Sequence, residues 1–158
     1  MTSTSEEFRQ AWLATLPDDA SARHATYVVE PFGDNPALAD ELVTLVLAGV
    51  KTATCSALWD WEAEGNPLPE PGLLWIVLDG RGEPRCIVET VEVTFRRYDE
   101  VDADFAAAEG EGDRSLAYWR EAHRRFFTRT LPAIGKEFAK EMPLVCERFR
   151  VVYRGREE

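Results

Sequence analysis

Residues able to do chemistry crowd into one short stretch, GVKTATCSA, which carries Lys51, Thr52, Thr54 and Ser56. A threonine hydroxyl becomes a nucleophile only when a base takes its proton, and a lysine amine can do that only when neutral. A charged lysine does something different: it holds a phosphate or an oxyanion. A lysine just past a helix C-terminus is stabilised as the cation by the helix dipole. A general-base role for Lys51 therefore needs burial that overcomes this effect. Residues three apart in an ideal strand point to opposite faces. Lys51 and Thr54 share a site only if the chain bends or bulges between them. Taken alone, the spacing fits a solvated lysine at a strand start better than a catalyst.

A second constellation is AEGEGD, in which Glu109, Glu111 and Asp113 alternate with glycines. In an extended segment the three side chains lie on one side and suit a divalent cation or a general acid and base. The bland alternative is an acidic loop capping a helix that starts near Ser115. Asp102-x-Asp104 is not an EF-hand loop, because the glycine that such a loop needs is missing. Trp59 and Trp61, flanked by Asp60 and Glu62, are candidates for an aromatic rim that stacks on bases. Trp75 and Trp119 sit in apolar patterns and are assigned to the core. Arginines gather late in the chain, at positions 120, 124, 125, 129, 148, 150, 154 and 156. Arg120 and Arg124 share a helix face, and with Arg148 they offer a local basic patch. The alternative is pairing with the many carboxylates. His123, four residues from both Trp119 and Phe127, reads as a packed helix residue.

Bulk properties narrow the choice. A net charge of −11 argues against binding to long duplex DNA, whose phosphates this surface repels. A nucleic-acid role then needs a local patch, or a ligand small enough to be read in a pocket. Cys55, Cys86 and Cys146 form no CxxC pair, and His24 and His123 stand apart, so free thiols are expected, with no metal site and no cofactor. No long apolar run suggests a membrane span. The polar, acidic first residues do not resemble a signal peptide, and the expected location is cytoplasmic.

These groups need elements to position them. SEEFRQAWLATLP has helical spacing, with Ser5 as a cap. Tyr27 to Glu30 suits a short strand. GDNPALADELVTLVLAG is the clearest helix, with Asn35 at the N-cap, Pro36 at N1 and Gly49 at C′. VKTATCSA reads as a loop entering a strand, and EAEGNPLPEPG as turns. LLWIVLD and RCIVETVEVTF form a strand pair, the second with Val91 and Val93 on one face and Glu92 and Thr94 on the other. Residues 99–113 are acidic and rich in Ala and Gly. SLAYWREAHRRFFTRTL is a helix, AIGKEFAKEM another, and LVCERFRVVYRG the last strand. Strands and helices alternate irregularly, with no glycine-rich phosphate loop after a strand. That excludes a Rossmann or P-loop arrangement and points to an α+β domain with a small curled barrel.

Gly49-x-Lys51-x-x-Thr54 resembles the signature of the ASCH domain family. FGDNPALADELVTLVLAGVKTAT, EPGLLWIVLDGRGEPRCIVETVEV, FAAAEGEGDRSLAYWREAHRRFF and LVCERFRVVY are similar to the longer bacterial members. The resemblance implies a small PUA-like β-barrel with helices around it and a cleft beside the Gly-x-Lys-x-x-Thr turn. It implies residues 25–158 as the ASCH domain, with 1–24 as an N-terminal helical extension. It also implies RNA or a small nucleoside or nucleotide as ligand. Some members are amidohydrolases of N4-acetylcytidine that use a lysine, a threonine and a glutamate. Lys51 and Thr54 match the first two, and Glu111 or the nearby Glu109 matches the third. Other members are ribonucleases dependent on the same lysine, and eukaryotic relatives are non-catalytic modules. The expectation is a metal-independent hydrolase with Lys51, Thr54 and Glu111 catalytic. Thr52, Ser56, Trp59, Trp61, Glu109, Arg120 and Arg148 would contact the substrate.

Overall fold

The computed structural model of the chain describes residues 4–155. In chain order its regular elements are α1 (Thr4–Leu13), β1 (Tyr27–Pro31), α2 (Pro36–Leu47), β2 (Ala53–Ala57), α3 (Leu58–Glu64), β3 (Leu74–Leu78), β4 (Pro84–Arg97), α4 (Ala103–Glu109), α5 (Leu116–Thr130) and β5 (Pro143–Tyr153). The strands form one mixed sheet in the order β1-β3-β4-β5-β2. β1 runs parallel to β3, whereas β3–β4 and β2–β5 are antiparallel. The α+β class expected from the sequence is the one found.

Two compact units make up the chain. The first takes the chain up to Gly49, Glu70–Val91 and the stretch from Phe149 on. Here α2 buries Leu42, Val43 and Val46 against Val77, Cys86, Val88 and Phe149. Its ends follow local chemistry. Asn35 Oδ1 accepts from Leu38 N at 2.9 Å, Pro36 opens the helix, and Gly49 leaves it at φ +77°. Trp12 and Leu13 of α1 pack with Leu74, Ile76 and Ile87. That helix already includes Ser5 in its first turn, so Ser5 is not its cap.

The second unit is Val50–Pro69 with Glu92–Arg148. Its core joins Ala53 and Ala57 of β2 to Phe105, Ala106, Trp119, Phe127 and Leu144. Three elements differ from the sequence reading. Within the acidic, Ala/Gly-rich stretch, residues 103–109 form α4, because Asp102 caps it, its side chain accepting from Phe105 N at 2.9 Å. Leu58 to Glu64 form a short helix that the turn-rich composition hides. The segment after α5 forms only a 3-10 turn, Leu131–Ile134, and Gly135 at φ +73° ends it, so AIGKEFAKEM is not a helix. On β4, Val91 is 48% exposed and Cys86 to Val88 are all buried. Burial on this strand follows position along its length rather than strict alternation.

Candidate functional site

Lys51 is buried, with only 2% of its surface exposed, and it lies in the second unit together with everything that touches it below. Lys51 lies two residues before β2 begins, and its Nζ donates to Ala53 O, in the first residue of that strand, at 2.9 Å. It also reaches the C-terminus of α4. Nζ lies 3.2 Å from Glu109 Oε1, 3.0 Å from Glu111 Oε2 and 3.5 Å from Glu109 O. The chain reaches this geometry because α4 ends on Gly110 at φ +74°, which separates the two glutamates. A Cβ at Gly110 would stand 2.4 Å from Val50 O, so only glycine permits this approach. Thr52 completes the junction: its N–H and its hydroxyl both donate to Ala108 O, at 2.7 and 3.2 Å. The orphan carbonyls of α4 are thus met by Thr52, by Lys51 and by the Arg114 guanidinium, which donates to Ala107 O.

The electrostatics answer the question of Lys51's proton. Burial alone would favour the neutral amine, but Glu109 and Glu111 outweigh it and raise the pKa above the ordinary lysine value. The helix terminus that supports the cation is that of α4, which Lys51 bonds directly.

Glu109 is only 1% exposed. Its Oε2 meets His123 Nε2 at 3.1 Å, Cys55 Sγ at 3.6 Å and the Trp119 indole N–H. Burial would raise its pKa, yet the cations of Lys51 and His123 and the bond from Trp119 bring it down to about 2. His123 stacks on Trp119, with centroids 4.2 Å apart, and its Nδ1 lies 2.9 Å from Trp119 O. Both ring nitrogens therefore face acceptors, which an imidazolium satisfies. Burial opposes that charge, and Glu109 more than restores it, raising the His123 pKa. Cys55 is the reverse case: burial, reinforced by Glu109, pushes its thiol well above the usual range.

The structure gathers Lys51, Glu109 and Glu111, and adds Cys55, His123 and Trp119. The last three come from β2 and α5, and no motif in the sequence joins them to Glu109. The i, i+4 placement of Trp119 and His123 on one helix face is the only hint in the sequence. Thr54 follows another course. It lies inside β2 opposite Glu147, and alternation turns it away from the face that carries Ala53, Cys55 and Ala57. Ser56 shares the Thr54 parity and accepts from Trp61 Nε1 at 2.8 Å. Trp59 packs against the core, with Lys136 Nζ 5.6 Å from its ring centroid.

Asp113 does not join the other two carboxylates. Its Oδ1 accepts from Ser115 N at 2.9 Å in the turn before α5. Among the arginines, Arg124 and Arg125 pair with Glu121, and Arg148 Nε lies 4.0 Å from Glu92. Arg120 is exposed, and its carbonyl accepts from the Tyr98 hydroxyl.

The family model described as "ASCH domain" matches residues 28–153. The chain belongs to the ASCH domain family. Its fold is similar to that of an ASCH domain from Lactobacillus crispatus JV V101, with a TM-score of 0.90 and 37% identity over 97% of this chain and 96% of that one. It is also similar to protein EF3133 from Enterococcus faecalis V583, with a TM-score of 0.84 and 36% identity over 95% and 88% of the two chains. A third solved structure, hypothetical protein PH0355, is 14% identical at a TM-score of 0.54 over 80% and 99% of the two chains, and shares the fold alone. No curated protein matches the sequence. Among the described residues of this ASCH chain, no helix is long and apolar enough to cross a membrane.

Proposed function

We propose that this ASCH domain is an RNA- or nucleotide-recognising, metal-independent hydrolase centred on Lys51. The observation that carries the reading is a buried ammonium held by two carboxylates, one of them at the edge of the cluster. The Glu111 side chain is 19% exposed, against 2% for Glu109. Glu111 is thus the carboxylate that can exchange protons with a ligand. Glu109, spent on His123 and Trp119, holds the lysine in place.

A charged Lys51 suits stabilisation of a developing negative charge, as on the phosphorus oxygens during RNA cleavage, with Glu111 activating the attacking hydroxyl. It does not suit a neutral-lysine base that activates Thr54. The orientation of Thr54 on β2 points the same way. Cleavage of single-stranded RNA is therefore favoured over an N4-acetylcytidine-type amide hydrolysis. Thr52, Trp61, Arg120 and Arg148 remain the proposed surroundings of the ligand; Ser56 lies on the Thr54 face of β2, Trp59 packs against the core and Glu109 is taken up by the cluster.

A second reading is a non-catalytic module that binds RNA or a nucleotide. It is favoured by the ammonium's existing engagement with Glu109, Glu111 and Ala53 O. One experiment separates these readings. The purified chain, Lys51→Arg, Lys51→Ala and Glu111→Gln are incubated with single-stranded RNA and with N4-acetylcytidine, with and without EDTA. EDTA-resistant RNA cleavage that Lys51→Arg partly retains and Glu111→Gln loses supports the lead reading. Amide hydrolysis lost in Lys51→Arg would replace it with the threonine mechanism. RNA binding without turnover leaves the module.

A further inference from the structure

Cys55, Glu109 and His123 come from β2, α4 and α5, and one ligand-capable atom of each lies within 4.8 Å of the others. Two spacings can be compared with metal geometry. Cys55 Sγ stands 3.6 Å, and His123 Nε2 3.1 Å, from the same oxygen, Glu109 Oε2. A tetrahedral Zn²⁺ with bonds of about 2.3 Å to sulfur and about 2.0 Å to nitrogen or oxygen sets edges of about 3.5 Å (S to O) and about 3.3 Å (N to O). These two edges of a coordination tetrahedron are already built. We infer that Cys55 Sγ, Glu109 Oε2 and His123 Nε2 form a binding site for a divalent, borderline-soft metal ion of the Zn²⁺ kind, with the fourth position open.

The donor set is the one such an ion selects: thiolate, imidazole and carboxylate. The outer partners are also present. His123 Nδ1 is held on Trp119 O at 2.9 Å, which aims Nε2 inward, and Glu109 Oε1 is held by Lys51 at 3.2 Å. The Trp119 indole N–H shares Oε2 with the ion, as a second lone pair allows. The exchange balances. A Zn²⁺ enters and bonds to sulfur and to the imidazole nitrogen. The Cys55 thiol proton and the His123 Nε2 proton leave to water. The incoming ion, the new thiolate and the lost imidazolium leave the local charge unchanged, so burial exacts no added charge. The ion and Lys51 then share one carboxylate, each on its own oxygen.

The inference is independent of the hydrolytic reading, and its test uses no substrate. The full chain is treated with a chelator, exchanged into clean buffer and titrated with Co²⁺. One equivalent is expected to bind with the visible spectrum of a tetrahedral site and a sulfur-to-cobalt charge-transfer band, both lost on adding Zn²⁺. Cys55→Ser should abolish the charge-transfer band and weaken binding by more than about tenfold. Cys86→Ser, in the other unit, should leave it intact. His123→Gln should likewise lose tight binding. Should that variant not fold, the Cys55→Ser and Cys86→Ser pair decides alone. Absence of saturable Co²⁺ binding, or a charge-transfer band that survives Cys55→Ser, overturns the site.

Discussion

His123 Nε2 lies 3.1 Å from Glu109 Oε2, on the side of the carboxylate opposite Lys51. Glu109 is thereby clamped between two cations in a place that water hardly reaches. Removing the carboxylate would leave two buried charges facing each other. Glu109→Ala is expected to destabilise the protein by about 3–5 kcal/mol, the usual cost of breaking a buried ion pair from one side. Urea denaturation of the variant and the parent measures this. A loss under about 1 kcal/mol would mean that the cluster is well hydrated.

The same clamp sets a pH dependence. The Glu109 carboxyl is held at about 2, against an ordinary 4.5. A depressed acid contributes stability that is fully present above the ordinary value and is lost as the pH falls through about 2. His123 has the opposite sign: its raised pKa contributes stability that is present below 6.5 and is lost as the pH rises through the folded value. For the metal-free protein, stability against pH should therefore slope downward on both flanks. Glu109→Gln should flatten both slopes. Parallel curves for the two proteins would refute this.

Gly110 offers a steric test. Its φ of +74° and the 2.4 Å approach of a Cβ to Val50 O combine two costs, and the clashing atom is backbone that cannot turn aside. Gly65 has a similar φ of +69° with open space around it. Gly65→Ala should cost about 1–2 kcal/mol for the left-handed conformation alone. Gly110→Ala should cost distinctly more and weaken any activity that depends on Lys51. Thermal unfolding of the two variants gives the comparison, and equal losses would show that the contact is loose.

Thiol chemistry gives a fourth check. Burial pushes Cys86 and Cys146 up to about 12, and Cys55 also lies well above its usual value. Since the thiolate is the reactive form, a disulfide reagent at neutral pH should label the native protein slowly at all three positions. In denaturant all three should react at once. Rapid native labelling of Cys146 would mean that the β2–β5 pairing opens readily.

How much of this was legible in the sequence depends on how local each signal is. Asn35, Pro36 and Gly49 fix the ends of α2 through bonds made within a few residues, so that helix could be read directly. The start of α4 was also local, since Asp102 caps it, but the glycines around Glu111 and the acidic composition hid it. The nearness of Lys51 and Glu111 came from the family resemblance. The spacing alone favoured a solvated lysine. Cys55 and His123 reach Glu109 only through tertiary packing, from elements far apart in the chain. The stretch from 135 to 142 carried helical composition, yet Gly135 turns left-handed and stops it.

The two hydrogen bonds that Thr52 donates to Ala108 O, together with the abutment of Gly110 on Val50, have a mechanical consequence. Two backbone seams, one on each side of Glu109, weld the end of α4 to the Lys51 segment. The backbones that carry Lys51 and Glu109 are therefore held side by side. Glu111 is the first carboxylate beyond the second seam, followed by Gly112 and Arg114, both at positive φ. Glu111 thus stands where the fastened backbone gives way to a turn with two left-handed residues, as the carboxylate of the cluster that faces outward.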